Sequence, residues 1–216
     1  MKKWIIVAGT VLILAAAIFA GYQLLSFPAE EYAEAALDAM YKEEFKDYSE
    51  LTGADSKEIA QAYEEGMEQQ AEVFQQYFGI TSLSKEGQQK LDEFVRMVYD
   101  YVEYEAAGSK KQGENRVVTV RVRPIAFYKI LNEKKFAESF RQKTEDGEYL
   151  KLSEEQYQDE YLSQLVKEYE KAFAEGTYET LKEEEYTLTL KRTGSRYVPD
   201  SGEFAEIDQA LFAFSK

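Results

Sequence analysis

Arg116-Val117-Val118-Thr119-Val120-Arg121-Val122-Arg123 alternates apolar and polar side chains with the period of two that marks a half-buried β-strand. Val118, Val120 and Val122 are expected to face a core, and Thr119, Arg121 and Arg123 to face outward. Upstream, Tyr99-Asp100-Tyr101-Val102-Glu103-Tyr104-Glu105 is rich in β-favouring aromatics and reads as the partner strand. Between the two lies Gly108-Ser109-Lys110-Lys111-Gln112-Gly113-Glu114-Asn115, a polar stretch expected to form the hairpin loop. Across such a hairpin Glu103 and Glu105 can pair with the outward arginines for about a few tenths of a kcal/mol each. Arg121 and Arg123 are therefore read as sheet solubilisers and not as an anion site.

Helices precede this hairpin. From Ala29 to Tyr48, Ala33, Leu37, Tyr41, Phe45 and Tyr48 recur at the spacing of one buried helix face, which predicts a first helix closed by Thr52-Gly53. Asp55 with Glu58 has the pattern of a capping box, and Ile59, Tyr63, Met67, Ala71, Phe74 and Phe78 continue a second helix to Gly79. Ser84 caps a third, with Leu91, Phe94, Val95 and Val98 as its stripe.

After Pro124, Phe136 and Phe140 suggest a short helix starting near Asn132. The next helix has firmer signals. Ser153 and Gln156 make a capping box, Leu152 and Tyr157 occupy the two positions of a hydrophobic staple, and Tyr161, Leu165, Tyr169 and Phe173 lead to a stop at Gly176. Tyr186 to Arg192 alternates with leucines inward, the turn Thr193-Gly194-Ser195 follows, and Arg196-Tyr197-Val198-Pro199 reads as an edge strand. Phe204, Ile207, Leu211 and Phe214 predict a terminal amphipathic helix.

At the other end of the chain, Lys2 and Lys3 precede an apolar run from Trp4 to Leu25, and no charge appears until Glu30. That length can span a bilayer, with Trp4 and Tyr22 at headgroup level and Pro28 breaking the helix beyond. The alternative of a buried core helix fits poorly with so long an uncharged run behind two lysines. Cleavage at Ala15-Ala16-Ala17 would secrete the domain, yet would leave Ile18-Phe19-Ala20 as an apolar terminus. The expectation is a retained anchor through residues 4–25, with residues 1–28 as the membrane segment and 29–216 as one extracytoplasmic α+β domain.

Composition then excludes much. The chain has no Cys and no His, so thiol nucleophiles, disulfides, lipid attachment through a thiol, Ser-His catalysis and the commonest transition-metal ligands are all missing. No metal site and no cofactor is expected. Gly108 to Gly113 is flanked by strand patterns and lacks the Lys-Ser or Lys-Thr of a phosphate loop, and Asp146-Gly147-Glu148 and Asp200-Ser201-Gly202-Glu203 lack the alternating acids of a calcium loop. With 41 acids against 26 bases the net charge is −15, a balance that opposes nucleic acid and anionic lipid.

The acidic helical start Glu30-Glu31-Tyr32 running to Leu51-Thr52-Gly53, the strand Val117 to Val122 with Pro124-Ile125, and the late strand ending at Tyr197-Val198-Pro199 resemble the α+β cone of nuclear-transport-factor-like and cystatin-like domains, in which helices lie in a curved antiparallel sheet. They also look like a family of uncharacterised envelope lipoproteins of Gram-positive bacteria. The resemblance implies that fold and an extracytoplasmic location. Those lipoproteins carry a lipid-modified Cys, which this chain lacks, so attachment passes to the apolar helix. No catalytic residue is carried over.

Tyrosine is the unusual feature, at 17 residues. Most fall on the helical stripes, where packing accounts for them. Tyr99, Tyr101, Tyr104, Tyr186 and Tyr197 are the candidates for an aromatic binding pocket, although strand alternation places Tyr99 and Tyr101 opposite Tyr104, so that all five cannot line one cavity. The first functional expectation is a noncatalytic interaction or sensing domain that meets a membrane or cell-wall protein. A small-ligand or glycan binder using the cone is the alternative, and a hydrolase using only carboxylates ranks third, because chance pairs among 41 acids carry no signal.

Overall fold

A computed structural model of the chain describes residues 27–147, 149–194 and 196–215. The apolar run over residues 4–25 lies outside them, and among the described residues no helix is long and apolar enough to cross a membrane.

Four helices come first: α1 (Ala29–Tyr41), α2 (Phe45–Thr52), α3 (Ser56–Tyr77) and α4 (Lys85–Tyr99). Every stripe residue named for α3 and α4 is buried, as are Ala33, Leu37, Tyr41 and Tyr48. The expected single helix from Ala29 to Tyr48 is two. Glu43 adopts a left-handed φ of 58°, which breaks the hydrogen-bond ladder and turns α2 back onto α1. Gly53 ends α2 in the left-handed conformation as expected. Ser84 caps α4 by accepting from the Gly87 N–H at 3.1 Å. Asp55 caps α3 by accepting from the Lys57 N–H at 2.8 Å, one position short of the Glu58 N–H that the expected capping box uses.

The sheet is antiparallel throughout, in the order β1-β2-β3-β4, from β1 (Glu103–Gln112), β2 (Asn115–Arg123), β3 (Glu184–Thr193) and β4 (Arg196–Pro199). Val118, Val120, Val122, Leu188 and Leu190 are fully buried on its inner face. On the outer face Glu103 lies opposite Arg123 and Glu105 opposite Arg121, with ion pairs at 2.9 and 3.6 Å, and Glu183 and Glu185 extend the charged lattice. Two expectations at the hairpin are corrected. The eight-residue loop shrinks to Gly113-Glu114, because both strands run almost to the tip, and β1 begins only at Glu103. Tyr99 belongs to α4 and Tyr101 to the turn after it, since Tyr99 continues the buried stripe of Leu91, Val95 and Val98 and tertiary burial outweighs aromatic β-propensity.

Between β2 and β3 the chain leaves the sheet for α5 (Phe127–Ile130), α6 (Glu133–Glu145) and α7 (Glu154–Ala174). Asn132 caps α6 and Ser153 caps α7, the latter with both bonds of its capping box. Leu152 remains exposed, so the staple is not formed as read. The chain ends with α8 (Ser201–Ala210), on which Phe204 and Ile207 are buried. Phe214 lies past the helix in an extended tail that threads beside Ile125, with Ala213 N–H donating to the Ile125 carbonyl at 2.8 Å.

Helix α1 explains how the layers fit. Ala29, Ala33, Ala35, Ala36 and Ala39 are buried, and such small side chains let the helix approach β1, β2 and β3 on one side and α2 and α3 on the other. Helix α8 covers β3 and β2 beside it, while α3 packs on α4 and α4 on α7.

Candidate functional site

The buried alanine face of α1 leaves Glu30, Glu31, Glu34 and Asp38 on its free side, and the kink at Glu43 brings Asp47 and Glu50 of α2 alongside them. With Glu105 and Ala106 of β1 these residues line an open groove of about 680 Å³. Seven carboxylates and no basic residue make up its charged lining. Glu34 is half-buried and accepts from the Ala106 N–H at 2.7 Å. Its pKa is raised, chiefly by burial and further by Asp38 and Glu105, against the opposing pull of the Ala106 bond and Lys42. Asp38 accepts from the Tyr104 hydroxyl at 2.6 Å, and Lys42 lies over the Tyr104 ring at 4.8 Å. Among the described residues no group of three or more acids has the arrangement of a metal site.

None of the five candidate tyrosines lines this groove. Tyr99 is buried in the core, stacked on Tyr41 at 5.5 Å, and its hydroxyl donates to Asp208 at 3.1 Å. Tyr104 meets the same Tyr41 ring at 5.7 Å, so Tyr99 and Tyr104 converge where strand alternation sets them apart. The reason is that Tyr99 projects from a helix. Tyr101 packs on Phe173 at 4.7 Å and Tyr178 at 5.8 Å, away from both. The Tyr186 hydroxyl donates to Glu184 at 2.9 Å, and burial together with that bond pushes its pKa up to about 12. Tyr197 lies on β4, stacked on Phe27 at 4.0 Å.

Two acids that the sequence reading passed over matter more than these rings. One is Glu34. The other is Asp208 of α8, which accepts from Gln70 at 2.8 Å and from Tyr99, while the buried Tyr41 hydroxyl approaches the same carboxyl without hydrogen-bonding geometry. A signal for it existed, since Phe204, Ile207, Asp208 and Leu211 share the apolar stripe of α8. Burial pushes the Asp208 pKa up to about 6, and the bonds from Gln70 and Tyr99 hold it from rising further.

Because folded Asp208 keeps its proton to about pH 6 while the unfolded side chain releases it near 3.8, its contribution is complete below about pH 4 and declines as pH rises to 6. The loss amounts to about 2 to 3 kcal/mol. Asp208→Asn is expected to remove that part of the pH slope and to be the more stable form relative to the parent at pH 7 than at pH 4. Urea unfolding of both proteins at the two pH values checks this, and identical slopes would refute it.

Comparison with protein-family models gives no match, and neither does comparison with curated protein sequences. Among solved structures, the chain is similar to a protein of Bacillus subtilis subsp. subtilis str. 168 described as a lipoprotein (ycdA), at 14% identity and a TM-score of 0.60 over 85% of this chain. The chain spans 56% of that protein's length. The likeness establishes a shared fold, which in this chain is α+β with helices packed on a four-stranded antiparallel sheet.

Proposed function

We propose that the domain is the extracytoplasmic interaction module of a bacterial envelope protein, held at the membrane through residues 4–25, and that it acts by binding a basic surface of a membrane or cell-wall protein. The observation that carries this reading is the groove between α1, α2 and β1, where seven carboxylates meet no lysine or arginine in the lining. Such a surface raises the local concentration of cationic partners and speeds their encounter. An envelope location draws support from the fold shared with a protein described as a lipoprotein, and from the apolar run behind Lys2 and Lys3. The placement of α1 against three strands supports the finer reading of the fold as a nuclear-transport-factor-like or cystatin-like cone.

The test uses the full chain and a lysine-rich peptide as the probe. Neutralising the exposed groove acids by Glu31→Gln, Asp47→Asn and Glu50→Gln is expected to slow association on the order of tenfold, and raising salt should slow the parent protein by a similar factor. Binding unaffected by both changes would reject the groove as the site. Turnover of a wall glycan or peptide, abolished by Glu34→Gln with the fold intact, would replace the binding reading with a hydrolase.

A further inference from the structure

Charge is segregated along the strands. The end of the sheet at the β1–β2 hairpin collects Lys110, Lys111 and Arg116 with Lys191, Arg192 and Arg196, against Glu114 in the turn and Asp200 just past β4. Register assembles them: Lys111 pairs with Arg116, Arg116 with Leu190, and Thr193 with Arg196. The Arg192 N–H donates to the Asn115 side chain at 3.0 Å and ties β3 to the hairpin. Lys191 is paired with Asp200, and Arg192 lies 3.9 Å from Glu114. Lys110 and Lys111 are exposed and form no ion pair with the described residues. Arg116 Nε is buried without a hydrogen-bond partner among those residues. The opposite end of the same sheet carries Glu103, Glu105, Glu183, Glu184 and Glu185 against Arg121 and Arg123, which pair with them.

The chain enters the domain at the basic end. Phe27 stacks on Tyr197, the Tyr32 hydroxyl donates to the Tyr197 carbonyl at 2.7 Å, and Tyr197 pairs with Arg192 beside Arg196. Leu25, where the apolar run closes, is two residues from Phe27, a reach of about 7 Å even when extended. From β4 to β1 the sheet is about 15 Å wide, so one flat surface at Phe27 can touch every strand end. Glu30 and Glu31, which follow Phe27 at the start of α1, line the acidic groove.

We propose that this hairpin end is the membrane-facing surface of the domain and docks on anionic phospholipid headgroups. It rests on the anchoring through residues 4–25 in the proposed function. A bilayer that attracts the strand ends repels the acidic remainder, so the contact sets the orientation of the domain and turns its glutamate-rich sheet end away. The overall negative charge, which by itself argues against anionic lipid, is therefore the wrong quantity for this surface.

The absence of Cys makes single-cysteine probes clean. Full-length protein carrying a fluorophore at Gln112→Cys, or at Lys182→Cys near the opposite end, is reconstituted into phosphatidylcholine vesicles with and without phosphatidylglycerol. Quenching by headgroup spin-labelled lipid is then read. The Gln112 probe is expected to be quenched more than the Lys182 probe, and the excess to grow with phosphatidylglycerol. Lys110→Glu with Lys111→Glu should cut the phosphatidylglycerol-dependent part on the order of tenfold, with circular dichroism unchanged. Equal quenching at the two ends, or an excess indifferent to phosphatidylglycerol and to the two substitutions, would overturn the proposal. Co-flotation with pure phosphatidylcholine vesicles reports the anchor separately. If that fails, flotation with phosphatidylglycerol vesicles decides alone: binding lost in the double variant supports the docking surface, and no binding refutes it.

Discussion

Val120→Asp is expected to abolish folding, while Arg121→Asp next to it leaves a folded protein. Val120 is fully buried at the middle of β2, opposite Ala106 on one side and Tyr186 on the other. A carboxylate there has no donor to receive and no water to reach, and the cost exceeds about 4 to 5 kcal/mol, a large share of the stability of an ordinary domain. Arg121 stands on the outer face with Glu105 and Glu185 as exposed partners. Reversing its charge forfeits screened ion pairs and adds like-charge repulsion, together about 1 kcal/mol. Circular dichroism and urea unfolding of the two variants separate the cases. Equal damage at both positions would mean that the sheet is buried on both faces.

Phe74→Ala should be the most costly truncation among the helices. Its ring is wholly buried and meets Phe94, Phe127, Phe212 and Phe214 edge to face at 5.3 to 5.9 Å. The variant loses the transfer free energy of the ring and leaves a cavity lined by these neighbours, for about 3 to 5 kcal/mol. Because Phe212 and Phe214 belong to the tail that hydrogen-bonds to Ile125, the tail should loosen along with the core. Hydrogen exchange at Ala213 would report this as faster exchange in Phe74→Ala than in Phe74→Leu, which refills most of the space. Unchanged protection at Ala213 would show that backbone pairing with Ile125 holds the tail unaided.

The helical stripes from Ile59 to Phe78 and from Leu91 to Val98 were legible because a residue's face on a helix follows from spacing alone. The Ser153 cap with Gln156 was legible for a related reason, since a capping box closes within four residues. The same locality explains the errors. Nothing in Lys42-Glu43-Glu44 announces a left-handed residue, because the break exists to let α2 fold back on α1. Tyr99-Asp100-Tyr101 has the composition of a strand, yet burial against Tyr41 and Phe212 keeps Tyr99 helical and reverses the side to which it points. Strand alternation set Tyr99 and Tyr101 opposite Tyr104, yet Tyr99 and Tyr104 meet on the Tyr41 ring, while Tyr101 packs on Phe173, Tyr186 bonds Glu184 and Tyr197 stacks on Phe27.

Helix faces, the inward valines of β2 and the caps depend on neighbours a few residues away, and the exclusion of thiol and imidazole chemistry on composition, so all of them could be read from the chain alone. The pairing of Glu103 and Glu105 with Arg123 and Arg121 followed from the hairpin, but the larger charge clusters came only from tertiary structure. Glu34, Asp47 and Glu105 are far apart in the chain and share one groove, and Lys111, Arg116 and Arg192 come together at one sheet end. Electrostatic interaction falls with distance through space and is indifferent to distance along the chain, so net charge read from composition concealed a molecule with an acidic groove and a basic end.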